Sequence, residues 1–100
     1  MIQVPSGGKF PIGILHMTRG VVEVVSRDNR AMTAAFTRAL CRHMTCDWGI
    51  VSDDDKKRND QALVDGARLF SAYLFPDDTK FWIITEADRS STAIMLPDEY

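Results

Sequence analysis

The chain has 100 residues, 45% hydrophobic and 26% charged, with a formal net charge of −2. That balance excludes a disordered chain, and the length fits one domain with one core. Apolar runs of only a few residues exclude a membrane-spanning helix. The charge is uneven. Residues 1–50 carry six Arg/Lys against three acids, whereas residues 76–100 carry Lys80 and Arg89 against Asp77, Asp78, Glu86, Asp88, Asp98 and Glu99. A dipolar molecule with an acidic C-terminal end is expected, which bears on partner choice and not on fold.

Residues 1–9 contain Pro5 and the Gly7-Gly8 pair and read as a flexible N-terminal arm, leaving residues 10–100 as a single α+β domain. The arm lacks the continuous apolar block of a secretory signal. With Cys41 and Cys46 expected as free thiols, the cytoplasm is the expected compartment. The stretch Phe10–Met17 is short and β-compatible, either a fourth strand or packed extended chain. Thr18 is a candidate N-cap for a short helix through Val21, Val22, Val24 and Val25, four residues that would equally suit a strand. Asp28-Asn29 precedes the strongest helical pattern, Arg30 to about Met44. Met32, Ala35, Phe36, Ala39, Leu40 and Met44 line one face, and Arg30, Arg38 and Arg42 fall on the other. Ser52 then caps a more polar helix with Asp53, Asp54 and Asp55 in its first turn and Gly66 at its stop; Ala62, Leu63 and Val64 form its narrow apolar stripe.

The segment Arg68–Leu96 reads as an antiparallel meander. Closing the first hairpin around Pro76-Asp77-Asp78-Thr79 sets Tyr73 opposite Trp82 and Ala72 opposite Ile83. Tyr73, Trp82 and Ile84 then share one face, and Phe70, Ala72, Leu74, Phe81 and Ile83 the other. Both faces are apolar, so a partner or a second copy is expected on whichever face the helices leave open. The fold class predicted is α+β: an antiparallel three- to four-stranded sheet with two or three helices packed mainly on one face.

The chemistry-bearing constellations all have simpler explanations. Cys41-x-His43-x-x-Cys46 offers metal-ligand types, but on a helix positions 41 and 43 diverge by about 200° and no fourth ligand is evident. The aspartates at 53–55 suit a helix N-terminus, and Asp77 and Asp78 suit a turn. No glycine-rich phosphate loop or nucleophile elbow is present. Neither cofactor nor metal is expected, and no catalytic residue is assigned.

Trp48-Gly49, Asp55-Lys56-x-x-Asn59-Asp60-x-Ala62-Leu63, Gly66-x-Arg68, Ser71-Ala72-Tyr73, the run Trp82–Ser90 and the ending Leu96-Pro97-Asp98-Glu99-Tyr100 together resemble a family of small bacterial proteins carried on plasmids and integrative elements. These are called plasmid-related proteins or, in places, type I restriction endonuclease subunit M. The second label does not suit this chain, which is too short for a methyltransferase cofactor domain and lacks its glycine-rich loop. The resemblance covers about residues 10–100, and Arg30–Met44 is longer and more basic than the family's helix. It implies an accessory protein of mobile DNA, of the kind that acts against host restriction or CRISPR systems.

The expected function is therefore non-enzymatic: binding and inhibition of a host protein or ribonucleoprotein defence complex. The expected contacts are an acidic surface of Asp77, Asp78, Glu86 and Asp88, with Tyr73 and Trp82 as apolar anchors. The alternative is a small nucleic-acid-binding factor using Arg30, Arg38 and Arg42. A homodimer burying one sheet face is compatible with both.

Overall fold

The computed structural model describes residues 8–100. Residues 1–7 of the expected arm lie outside the described residues. Lys9 is described, and its N–H donates to the Met44 carbonyl at 2.8 Å. The chain runs β1 (Ile14–Met17), α1 (Arg19–Arg27), α2 (Asn29–Met44), α3 (Asp53–Asp65), β2 (Leu69–Leu74), β3 (Lys80–Thr85) and β4 (Ser91–Met95), then a 3-10 turn, Pro97–Glu99. The strands form one sheet in the order β1-β4-β3-β2.

The α+β class and the four strands agree with the sequence reading, with one correction: the sheet is mixed. β2, β3 and β4 form the antiparallel meander, but β1 joins β4 in parallel. All three helices intervene between β1 and β2, so β1 reaches the far edge through a long crossover, where parallel pairing is available.

Caps set the helix bounds. Asp28 accepts from the Ala31 N–H at 3.3 Å to start α2, and Ser52 accepts from the Asp55 N–H at 3.1 Å to start α3. α3 stops at Gly66, whose φ of 75° is readily available only without a Cβ. Thr18 precedes α1 as expected but makes no cap within the helix. Its hydroxyl donates to Glu99, and the other Glu99 oxygen accepts from the Gly20 N–H at 2.9 Å. The carboxylate of the C-terminal turn therefore serves the first turn of α1, which has no acid of its own.

In α2 the buried residues are Met32, Phe36, Ala39, Leu40, His43 and Met44, the expected apolar face with His43 added and Ala35 only half-buried. Phe36, Phe81, Ile83 and Ile94 are fully buried between the helices and the sheet. In α3 the buried positions are Asn59 and Ala62, while Val64 is 80% exposed, so its buried stripe differs from the expected one. Asn59 closes the outer edge of β2. Its side chain accepts from the Phe70 N–H at 3.0 Å and donates to the Phe70 carbonyl at 2.6 Å. Two residues on, the Trp48–Ile50 segment bonds Ala72 in the same way. Gly49 makes that approach possible: a Cβ there would stand 2.0 Å from the Ala72 carbonyl oxygen. An edge that could template another chain is thereby covered.

The hairpin register is one residue away from the expectation. Tyr73 pairs with Phe81 and Ala72 with Trp82. The cause is the turn: Asp78 adopts φ 67°, its N–H reaches the Phe75 carbonyl, and the Phe75 N–H already bonds Thr79. The loop thus closes over three residues and not four, with an Asp in the left-handed position. Leu69, Ser71, Tyr73, Phe81, Ile83 and Thr85 then face the helices, and Phe70, Leu74, Trp82 and Ile84 point away from them.

Candidate functional site

Beneath the helices lies a sealed polar relay centred on His43. Its Nδ1 is 2.6 Å from the Ser71 hydroxyl and its Nε2 is 2.9 Å from the Thr85 hydroxyl. Thr85 is 2.7 Å from Thr92, which donates to the Ile12 carbonyl at 2.8 Å. A carbonyl cannot donate, so the proton order follows from the end of the chain. Thr92 donates to Ile12, Thr85 donates to Thr92, and Nε2–H donates to Thr85. Burial keeps the imidazole neutral, so its Nδ1 accepts from the Ser71 hydroxyl. Burial, and secondarily the charge of Arg89, push its pKa down to about 3. Ser71 and His43 have the spacing of a nucleophile and its base, yet both have zero solvent exposure, so no substrate meets them in this state. The relay ties α2 to β2, β3, β4 and the segment before β1. Its neighbours Phe10 and Trp48 stack at 6.3 Å and both meet the His43 ring edge-on.

His43 is thus turned away from Cys41, which is exposed, and no group of three metal-ligating side chains occurs among the described residues.

Arg30, Arg38 and Arg42 are exposed along α2, as expected. Arg38 and Arg42 border a groove of about 240 Å³ whose other wall is Leu74, Phe75 and Pro76. Arg42 is fixed there, with its guanidinium 5.0 Å from the Tyr73 ring centre. Its Nε and Nη2 donate to Asp47 at 2.8 and 3.2 Å. That bond holds the Asp47 carboxyl below its usual range. Arg30 stands two turns back, about 12 Å from Arg38 along the axis, and does not border the groove.

The four expected acids do not form one surface. Asp77 and Asp78 occupy the β2–β3 turn, and Glu86 and Asp88 the β3–β4 turn. These turns stand at opposite ends of six-residue β3, about 20 Å apart. One acid of each pair is also engaged locally. Asp77 accepts from the Thr79 N–H at 3.0 Å and lies 3.8 Å from Arg27; Asp88 accepts from the Ser90 N–H at 2.9 Å. Those turn bonds hold both carboxyls below their usual range, the Thr79 N–H acting most on Asp77 and the Ser90 side chain most on Asp88. The expected aromatic pair is separated as well. Tyr73 is 2% exposed on the helix face, donating to the Asp47 carbonyl at 2.7 Å, whereas Trp82 is half-buried on the other face.

That second face is the open one, and the corrected register gathers aromatic side chains on it. Phe70 and Trp82 meet edge-on with ring centres 5.0 Å apart. The C-terminal turn folds back across β3, and the Tyr100 ring stands 5.8 Å from Trp82. The Arg68 guanidinium lies 5.2 Å from the Tyr100 ring centre, and its Nη2 donates to the Tyr100 hydroxyl. Arg68, Phe70, Trp82 and Tyr100 line a hollow of about 200 Å³ together with buried Ile84.

No family model, curated protein or solved structure matches the chain. The site is therefore read from its own geometry. Much of the run that carries the family resemblance has internal work: Trp48 donates to Asp60, Asn59 seals β2, and Arg89 donates to the Ala62, Ala67 and Glu86 carbonyls. Arg68, Trp82 and Tyr100 instead face outward. Arg68, Phe70 and Tyr100 are not among the contacts expected from sequence. The Arg68-x-Phe70 alternation on the strand beside Trp82 holds the signal for the first two once the turn is read as three residues, and nothing in the sequence brings Tyr100 to them.

Proposed function

We propose that the chain is a non-enzymatic accessory protein of a mobile genetic element, plasmid or phage. It acts in the bacterial cytoplasm by binding and inhibiting a host nucleic-acid-processing defence complex, in the manner of an anti-restriction or anti-CRISPR protein. The setting comes from the sequence resemblance and is an association. The observation that supports binding is the one-sided sheet, whose second face holds a half-buried Trp82 between Phe70 and Tyr100. Trp82 is the apolar anchor, and Asp77–Asp78 and Glu86–Asp88 are rim contacts at either end of the strands for a basic partner.

Affinity capture from a bacterial lysate, with and without nuclease, tests this reading. A stoichiometric complex that survives nuclease and is lost when the four acids are reversed to Lys supports it. A folded charge-reversed variant that captures and inhibits like the parent contradicts it. The second reading, direct nucleic-acid binding through α2, is favoured by the Arg38–Arg42 groove. It takes precedence if nuclease removes every partner and Arg38→Ala removes the remaining affinity.

A further inference from the structure

The outward strand positions of the open face carry a charge pattern that the chain as a whole does not: none is Asp or Glu, whereas Lys80 is outward-facing and exposed, and Arg68 borders the face beside Tyr100. The acids that come to this face are Asp98 and Glu99, in the C-terminal turn that packs on β3. Three aromatic rings and a guanidinium lie side by side on it, with ring centres 5.0 and 5.8 Å apart. Tyr100 is 66% exposed and Trp82 half-buried, so stacking surface faces solvent while the bodies of the rings are held by their neighbours. The helices cover only the opposite face.

Leu74 and Ile14 add exposed aliphatic surface on the outer strands of the face, whereas aromatic rings gather around Trp82 beside Arg68. Aromatic rings beside cationic groups match a ligand with flat π-faces joined by negative charge. We propose that this face binds single-stranded nucleic acid, with Trp82 and Tyr100 stacking on unpaired bases and Arg68 and Lys80 meeting the phosphates. A four-stranded sheet backed by helices presents bases in this way because alternate side chains on neighbouring strands form a continuous floor. The turn carboxylates at both ends of the strands repel phosphates there, which keeps the footprint to a few nucleotides. The inference deepens the function proposed above, since it names what the Trp82 anchor touches in a ribonucleoprotein complex. It rests on that reading for the setting alone.

The test uses the purified full chain and fluorescein-labelled oligothymidylate and oligoadenylate, without any partner complex. Fluorescence anisotropy is expected to show binding at low salt that weakens steeply as salt rises. Trp82→Ala should weaken it about tenfold or more, Trp82→Phe should retain most of it, and Arg68→Ala should lower the salt slope by about one. The Phe variant keeps the answer readable if the Ala variant fails to fold. No anisotropy change at low salt overturns the inference, as does binding that Arg38→Ala removes and Trp82→Ala leaves intact. Sedimentation of the same samples covers the other occupant: a dimer that Trp82→Ala dissociates, without oligonucleotide binding, gives the face to a second copy. Capture of a host complex by a protein that fails these oligonucleotide assays would overturn this inference and leave the proposed function standing.

Discussion

The two faces of one sheet take residues from the same strands and put them to opposite uses. Ser71, Thr85 and Thr92 point under the helices and are consumed by a hydrogen-bond chain running from His43 to the Ile12 carbonyl. Phe70 and Trp82, on the same strands but displaced by one position, point into the open and meet Tyr100 and Arg68. The first face holds the Ser71–His43 pair and excludes solvent. The second presents aromatic and cationic surface. Reactive residue types are thus a poor guide to the site here, and exposure is a better one.

The comparison breaks most visibly in stability. Phe36→Ala empties a fully buried position against the first face and should cost about 3–5 kcal/mol. Trp82→Ala on the second face should cost about 1–3 kcal/mol, the size of its two aromatic contacts. Urea unfolding of the two variants measures the difference, and equal losses would mean that the open face is core. Thr92→Val keeps the shape but removes the terminal donor, leaving the Ile12 carbonyl without that bond and Thr85 without its acceptor. A loss of about 1–3 kcal/mol is expected.

A smaller effect sharpens the same contrast through pH. The folded pKa of His43 is about 3 against an ordinary 6.5, so the unfolded chain binds its proton first as the pH falls. The contribution of this group is fully present above pH 6.5 and is lost on acidification from 6.5 toward 3, amounting to about 2 kcal/mol between pH 7 and 5. The carboxyls of Asp47, Asp77, Asp88 and Glu99 are held low in the fold, and their contributions are lost only at more acid pH. Urea midpoints at pH 7 and pH 5, for the parent and for His43→Gln, isolate this part. A parent whose stability is flat over that interval would mean that the relay admits a proton.

The sequence conveyed the helices well because their signals are local: Asp28 and Ser52 as caps, Gly66 as a stop, and the Met32–Phe36–Leu40 spacing for the buried stripe. It conveyed the sheet less well because pairing depends on one backbone angle. Asp78 in the left-handed region shortens the turn by a residue, and that single slip put Tyr73 and Trp82 on the same face. Charge counting along the chain joined Asp77–Asp78 with Glu86–Asp88, since it takes no account of the strand that separates them. His43 was considered only with its helical neighbours Cys41 and Cys46, whereas its partners come from strands 28 and 42 residues away. The Tyr100–Trp82 contact and the Glu99 cap on α1 have no local signature at all.

The two tryptophans allow the most direct measurement, because each reports on a different environment. The Trp48 indole is buried and donates to Asp60 at 3.1 Å, whereas Trp82 belongs to the open face. Titration of the ¹⁵N-labelled protein with oligothymidylate, followed by amide and indole N–H signals, should shift the Trp82 indole and the amides of β2 and β3. The Trp48 indole should stay in place. A titration that shifts the amides around Arg38 and Arg42 and leaves the Trp82 indole unmoved would contradict the assignment of function to the open face.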